Sequence, residues 1–135
     1  MSDVDGALRL LLLSRPGVTE VIGTRIYPEI LPDKVDYPAV AYQQISDVPD
    51  YTNDNAYTEG GTCFRSMRFQ MDSYGRTLAE ARRADEAIRA ALSGYRGRSG
   101  GHTFGAVMRL NSQSNRYEDE DLWRITTDYR IQVVN

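Results

Sequence analysis

The sequence predicts an α+β domain in which a single layer of largely antiparallel β-sheet, with about four to five strands, packs against two α-helices. Two patterns carry this prediction. Residues 123–133 alternate apolar and polar side chains, as in a half-buried strand, and residues 78–92 repeat apolar residues at helical spacing. The length of 135 residues suits one domain over residues 1–135, with elements in the order α-β-β-β-α-β-β.

The first element is a short amphipathic helix near the N-terminus. Ser2 and Asp5 resemble a capping box, and apolar residues recur at helical spacing at Val4, Ala7, Leu8, Leu11 and Leu12. Pro16-Gly17 should end this helix, and residues 18–22 are compatible with a further helical turn closed by Gly23.

Two strands follow. Residues 25–27 form the first, which Pro28 ends because proline has no N–H for the ladder, and residues 38–45 form the second. We expect Glu29 to Asp36 to be an exposed loop between them. The aromatic side chains of Tyr27, Tyr37 and Tyr42 should anchor these strands in the fold rather than touch a ligand.

Residues 47–61 contain four acids, no base and two turn-forming clusters, which favours a mobile loop or a hairpin tip. After an irregular start at residues 64–65, the third strand alternates. One side carries Cys63, Met67, Phe69 and Met71, and the other carries Ser66, Arg68, Gln70 and Asp72.

Thr77 and Glu80 form a T-x-x-E capping box for the second helix, which ends near Gly94. Its apolar face is Leu78, Ala81, Ala84, Ile88, Ala91 and Leu92. The connector GYRGRSGG then leads to a strand whose shared face is predicted to be Phe104, Ala106, Met108 and Leu110. An acidic turn, Glu118 to Asp121, precedes the last strand, whose buried side is Trp123, Ile125, Thr127, Tyr129, Ile131 and Val133.

Composition narrows the function. The 19 acids and 16 bases give a net charge of −3, which argues against a dedicated nucleic-acid surface, since such a surface is usually basic. The longest aliphatic run, Leu10 to Leu13, is far shorter than the roughly 18 residues that span a bilayer, so no membrane partner is expected.

No chemical motif is apparent. The single histidine, His102, lies in a glycine-rich connector, and the single cysteine, Cys63, is expected to be a buried small side chain, although their proximity in space stays open. One cysteine and one histidine do not complete a zinc site, and Glu118 to Asp121 lack the spacing of a calcium loop. A pair of catalytic carboxylates also stays open, because 19 acids could meet in the fold. We predict no enzyme, no catalytic residue, no metal and no cofactor.

Several segments, taken in order, resemble a known family. They are the leucine-rich first helix, RIYP at 25–28, YPAVAYQQIS at 37–46, FQMDSYGRTLAEARRADEAIRAAL at 69–92 and YEDEDLWRITTDYRIQV at 117–133. The sequence resembles the tail completion, or tail terminator, family of siphophages and prophages, of the head-to-tail joining type. The resemblance covers nearly the whole chain, and the family offers no catalytic residues to transfer.

The resemblance implies a structural virion protein that caps the head-proximal end of the tail tube as a ring, usually a hexamer, ending tube growth and joining the tail to the head connector. Its partners would be further copies of itself, the tail tube protein and the head connector or stopper protein, with DNA only passing through. It would be assembled in the host cytoplasm and located at the head-tail junction. A head-closure adaptor is the alternative, and a small hydrolase or a nucleic-acid-binding module is disfavoured.

Two sets of residues follow as hypotheses for such a ring. The first set consists of contact candidates between subunits, because arginine suits carboxylate pairing at interfaces: Arg65, Arg68, Arg124 and Arg130. The second set is acidic, and its like charge would discourage DNA phosphates from sticking to a lumen: Asp47, Asp50, Asp54 and Glu59. The loop Glu29 to Asp36 is a further surface that a neighbouring subunit could contact.

Overall fold

The computed structural model describes residues 4–32, 34–50, 64–117 and 121–134. The elements in these ranges are α1 Val4–Leu13, α2 Pro16–Ile22, β1 Ile26–Pro28, β2 Ala39–Asp50, β3 Phe64–Gly75, α3 Leu78–Leu92, β4 Gly97–Ser99, β5 His102–Tyr117 and β6 Leu122–Val134. No helix among the described residues is both long and apolar enough to cross a membrane.

The strands form one six-stranded sheet in the order β1-β2-β3-β6-β5-β4. The β1–β2 pair is parallel, and the four other pairs are antiparallel. The predicted α+β class is therefore confirmed. The predicted two helices, four to five strands and order α-β-β-β-α-β-β are wrong, because the described part of the chain has three helices and six strands in a mixed sheet.

Two short elements account for most of this difference. Pro16, which was expected only to stop α1, also occupies the first turn of α2, where its missing N–H costs no hydrogen bond. In the glycine-rich connector, Gly97–Ser99 pairs with His102–Phe104 as strand β4. Strand β1, the parallel edge strand, ends at Pro28, the residue predicted to end it. The strand includes Pro28, whereas the predicted range stopped one residue earlier.

The three helices lie on one face of the sheet and bury a shared core. Leu8 and Leu12 of α1, with Ile88 and Leu92 of α3, pack in one cluster with Phe69 and other sheet side chains. The predicted alternation in β6 is confirmed, since its residues 125, 127, 129, 131 and 133 are buried. Tyr42 also lies in the core.

The start of α3 is as predicted. The Thr77 hydroxyl accepts the Glu80 N–H at 3.1 Å, and the Glu80 carboxylate accepts the Arg76 N–H at 3.1 Å. The first bond satisfies a donor that a helix N-terminus would otherwise leave free, and the second ties the residue before the N-cap to the first turn. Gly75 lets this first turn close onto β3, because a side-chain carbon at Gly75 would lie 2.5 Å from the Ala81 nitrogen.

A buried polar network also ties α3 to the sheet. Asp85 points into the layer between helix and strands, where it accepts a 2.7 Å hydrogen bond from the Thr127 hydroxyl and a 3.2 Å contact from the Arg109 guanidinium. The Ser112 hydroxyl lies 3.0 Å from Thr127 and donates to it, since Thr127 has spent its own hydrogen on Asp85. Burial raises the pKa of nearby Tyr129 to about 12, and the Asp85 charge adds to the rise.

Strands β2, β3 and β5 depart from the prediction. Strand β2 continues to Asp50, so residues 47–50 are not part of a loop, and β3 is regular from Phe64. In β5 a register shift between Phe104 and Ala106 changes which side chains point inward. Val107 is consequently buried, whereas Met108 and Leu110 are exposed, contrary to the predicted shared face. The predictions for Ser2, for residues 51–63 including Cys63, and for residues 118–120 lie outside the described residues.

Candidate interaction surface

The sheet face opposite the helices is the candidate interaction surface, and we call it the open sheet face. Alternate residues of β2, β3, β6 and β5 point to this side, because side chains of a strand alternate between the two faces. Its central row crosses four strands, and its members in order are Ser46, Arg68, Arg130 and Met108. Arginine and amide side chains recur on this face, with Arg68 and Gln70 on β3 and with Arg130 and Gln132 on β6.

Two arginines meet at its centre. Arg68 and Arg130 are directly opposite each other on β3 and β6, an arrangement that is unfavourable for like charges. Asp128, one step along β6, partly compensates, because its carboxylate accepts a 2.6 Å hydrogen bond from Arg68. The centre therefore keeps one net positive charge, and Arg130 is exposed.

A buried carboxylate stiffens the neighbouring part of this face. Asp72 is only 7% exposed, and it accepts a 2.8 Å hydrogen bond from the Thr126 hydroxyl and a 3.2 Å bond from the Gln70 amide. Hydrogen-bonded networks of this kind hold surface side chains in one arrangement. The arginine centre is thus mounted on a rigid strand pair rather than on a loop.

Exposed aliphatic side chains flank the arginines. Val48 is 55% exposed and Met108 is 46% exposed, one on each side of the Arg68–Arg130 pair. A shallow depression of about 360 Å³ lies beside them, lined by Ser46, Val48, Ser66, Met67, Arg68 and Arg130. Guanidinium forks with apolar flanks are typical of surfaces that bind another protein.

The predicted contact residues are only partly brought together. Arg68 and Arg130 are adjacent, whereas Arg124 lies on the same face three rows away, about 20 Å at the rise of a strand. Arg65 points to the helix side of the sheet, where its guanidinium pairs with Asp47 at 3.2 Å.

Two of the four predicted lumen residues lie in the described part of the chain. Asp47 is engaged in the ion pair with Arg65 on β2, and Asp50 ends that strand. Asp54 and Glu59 lie outside the described residues. Among the described residues, no group of three or more His, Cys, Asp or Glu side chains is placed to hold a metal ion.

The sequence did not reveal the aliphatic flank, because its pattern predicted that Met108 shares a face with Phe104. A signal was present, because Gly105 interrupts the strand and an isolated glycine in a strand often marks a bulge. The register shift falls at this glycine.

Comparisons with known proteins agree with this architecture. The family model of tail completion protein gp17 matches residues 6–133 of the chain. A chain from the solved virion of a native gene transfer agent (GTA) particle has a similar fold, with a TM-score of 0.75 and 17% sequence identity over 98% of this chain and 95% of that one. At this identity the likeness shows the fold. No curated protein matches the chain.

Proposed function

The chain belongs to the family of tail completion protein gp17, and from that premise we propose that it caps the head-proximal end of a tail tube as a ring, ends tube growth and joins the tail to the head connector. Membership of this family makes the protein a structural component of a phage-type virion tail. The match over residues 6–133 is the observation that carries the proposal. Beyond family membership, we propose that the chain forms a ring and that the ring has six subunits. The tail tube and the head connector as its partners are also proposed.

The two sides of the subunit suit a ring. A closed ring with rotational symmetry needs two different patches on each copy, each meeting the other patch on the neighbour. Here the open sheet face and the helix layer lie on opposite sides of one subunit. We assign the open sheet face to contacts between virion proteins, with Arg68, Arg124 and Arg130 as its contact residues, and leave Arg65 out because it points to the helix side.

The acidic residues are assigned to the ring lumen. Asp47, Asp50, Asp54 and Glu59 belong to one stretch of sequence that carries four acids and no base. Asp47 is paired with Arg65, and the other three acids, facing the path of DNA, would repel phosphates and let the duplex pass without adhering. Mapping this stretch to the outer wall of an assembled ring would contradict the assignment.

Deleting the gene from the phage or prophage that encodes it tests the proposed function. A missing terminator leaves tail tubes that grow beyond their normal length, because nothing stops subunit addition. Electron microscopy of lysates measures the tail-length distribution, and the wild-type gene supplied in trans should restore it. Filled heads beside unattached tails of normal length would instead identify a head-closure adaptor and refute tube capping.

Charge reversal locates the functional surface in the same assay. The double variant Arg68→Glu with Arg130→Glu should fail to restore tail length, since it turns the centre of the open sheet face negative. Arg82→Glu with Arg96→Glu is the matched control, because both side chains are exposed and lie away from that centre. Equal rescue by the two double variants would remove the open sheet face from the proposal.

A further inference from the structure

A second surface lies on the helix layer, in a groove between α2 and α3 that we call the α2–α3 groove. Its volume is about 540 Å³, and its floor is apolar, formed by Val21 of α2 and by Ala87 and Ala91 of α3. The three floor residues are half-buried and pack on the core. Alanine on α3 and the short length of α2 leave this apolar floor open to a side chain from outside.

The rim of the groove is basic. Arg15, Arg83 and Arg89 surround it, with Glu86 as the acid among its lining residues. Glu86 is engaged, since it accepts a 2.9 Å hydrogen bond from Arg89. Arg83 is exposed and forms no ion pair with any described residue. The groove thus fits an apolar side chain that has a carboxylate beside it.

The chain itself carries such a group in the turn that opens the loop after β1. Ile30 is 80% exposed, the largest exposed fraction among the large apolar residues described as exposed. Glu29 precedes it and adopts a φ of 67°, a left-handed conformation that is uncommon outside glycine. The Glu29 N–H donates to the Tyr42 carbonyl at 2.7 Å, and the Ile30 N–H donates to the Pro28 carbonyl at 2.8 Å.

These two backbone hydrogen bonds hold the turn in its strained conformation. Strain of this kind persists where surrounding contacts fix it, and it is often associated with a function. The turn therefore presents Ile30 and Glu29 to the outside in a defined position, rather than leaving them on a loosely held loop. We call these two residues the loop tip.

We propose that the loop tip of one copy inserts into the α2–α3 groove of the next, with Ile30 against the apolar floor and Glu29 paired with Arg83. This inference rests on the proposed ring and deepens it by naming a subunit contact. Charge and polarity match on the two patches, and the patches are different, as a ring contact requires. It also gives the exposed loop Glu29 to Asp36 a specific partner.

Sedimentation velocity of the purified full-length chain over a concentration range, alone and with tail tubes, tests this contact. Ile30→Asp should raise the dissociation constant for self-association by about tenfold or more, because a central apolar anchor is lost. Leu10→Asp is the matched control, since Leu10 is another exposed aliphatic side chain, on α1 outside both patches. Thermal melting of each variant verifies that the fold is intact.

Charge exchange gives the sharper test. Glu29→Arg and Arg83→Glu should each weaken self-association about threefold to tenfold, and their combination on one chain should restore it to within about threefold of wild type. Both side chains are exposed, so neither change should disturb the fold. A double variant no better than the single ones overturns the pairing.

The outcomes separate this contact from the proposed function. Normal rings from Ile30→Asp overturn the contact and leave the tail-capping role standing. If Ala90→Arg, which obstructs the groove, abolishes tail capping while Ile30→Asp does not, the groove takes the tail tube protein and our assignment is wrong. If the wild-type chain does not self-associate either alone or on tail tubes, both the contact and the ring are refuted.

Discussion

Replacing Asp85 by alanine should destabilise the protein substantially, because this carboxylate fastens α3 to the sheet. The change removes the acceptor of the 2.7 Å bond from Thr127 and the partner of Arg109 at 3.2 Å. Thr127 is fully buried and cannot turn to water, whereas Arg109 is partly exposed and keeps some hydration. The loss is thus a buried hydrogen bond plus part of an ion pair.

The expected cost follows from these contacts. Hydrogen bonds to a charged group are worth about 1.5–3 kcal/mol, and alanine recovers a few tenths through its better helix propensity, so we expect a loss of about 2–3 kcal/mol. For a chain of this size that corresponds to a melting temperature lower by about 7–11 °C. Asp85→Asn should lose less, because its amide oxygen still accepts from Thr127.

Urea unfolding followed by the fluorescence of Trp123, the single tryptophan, measures the free energy of unfolding. The protein concentration should be low enough to keep the chain monomeric, because assembly adds apparent stability. Glu86→Ala is the matched control, since this neighbouring acid forms its ion pair at the exposed surface and should be nearly neutral. A loss below about 1 kcal/mol for Asp85→Ala, or one equal to that of Glu86→Ala, would refute the reasoning.

Two more predictions concern the core. Gly75→Ala should lower the free energy of unfolding by about 2 kcal/mol or more, since its new side-chain carbon would lie 2.5 Å from the Ala81 nitrogen. Gly17→Ala is the control, because a side-chain carbon there meets nothing within 4 Å. Equal urea midpoints for the two variants would contradict the prediction. Because the folded pKa of Tyr129, about 12, lies above its ordinary value of 10, stability should be intact below pH 10 and fall by about 2 kcal/mol by pH 12. Tyrosinate absorbance should show one late-titrating tyrosine that Tyr129→Phe removes, and an unchanged titration would exclude the shift.

Strong local patterns predicted their elements well. The T-x-x-E box at Thr77 and the alternation in β6 predicted the structure correctly. A helix cap and the periodicity of a strand both depend on residues that are close in sequence. Sequence could not show that β1 joins β2 in parallel, since that pairing depends on how the chain returns across 10 residues of loop. The sequence prediction missed strand β4, because Gly97–Ser99 has the composition of a connector. This segment pairs with β5 only through the turn that follows it.

The surfaces were less predictable than the elements. Sequence identified Arg68 and Arg130 as outward-facing, and the structure adds that β3 and β6 set them directly opposite each other. The sequence prediction grouped Arg65 with them. Because side chains alternate between the two faces along β3, Arg65 points to the helix side. No local sequence pattern predicts the α2–α3 groove. Whether an alanine on α3 is covered or left open depends on where α2 ends.

The outer edges of the sheet have a consequence for how free copies behave. Strand β1 pairs with three residues of β2, and β4 pairs with three residues of β5, so much of both long strands remains an open edge within the described residues. Each open edge carries a bulge, and Pro49 removes an N–H from β2. Bulges and proline discourage the backbone of one molecule from extending the sheet of another. Free copies are thereby less prone to join edge to edge into fibres, and any association between them relies on side-chain contacts rather than on an extended sheet.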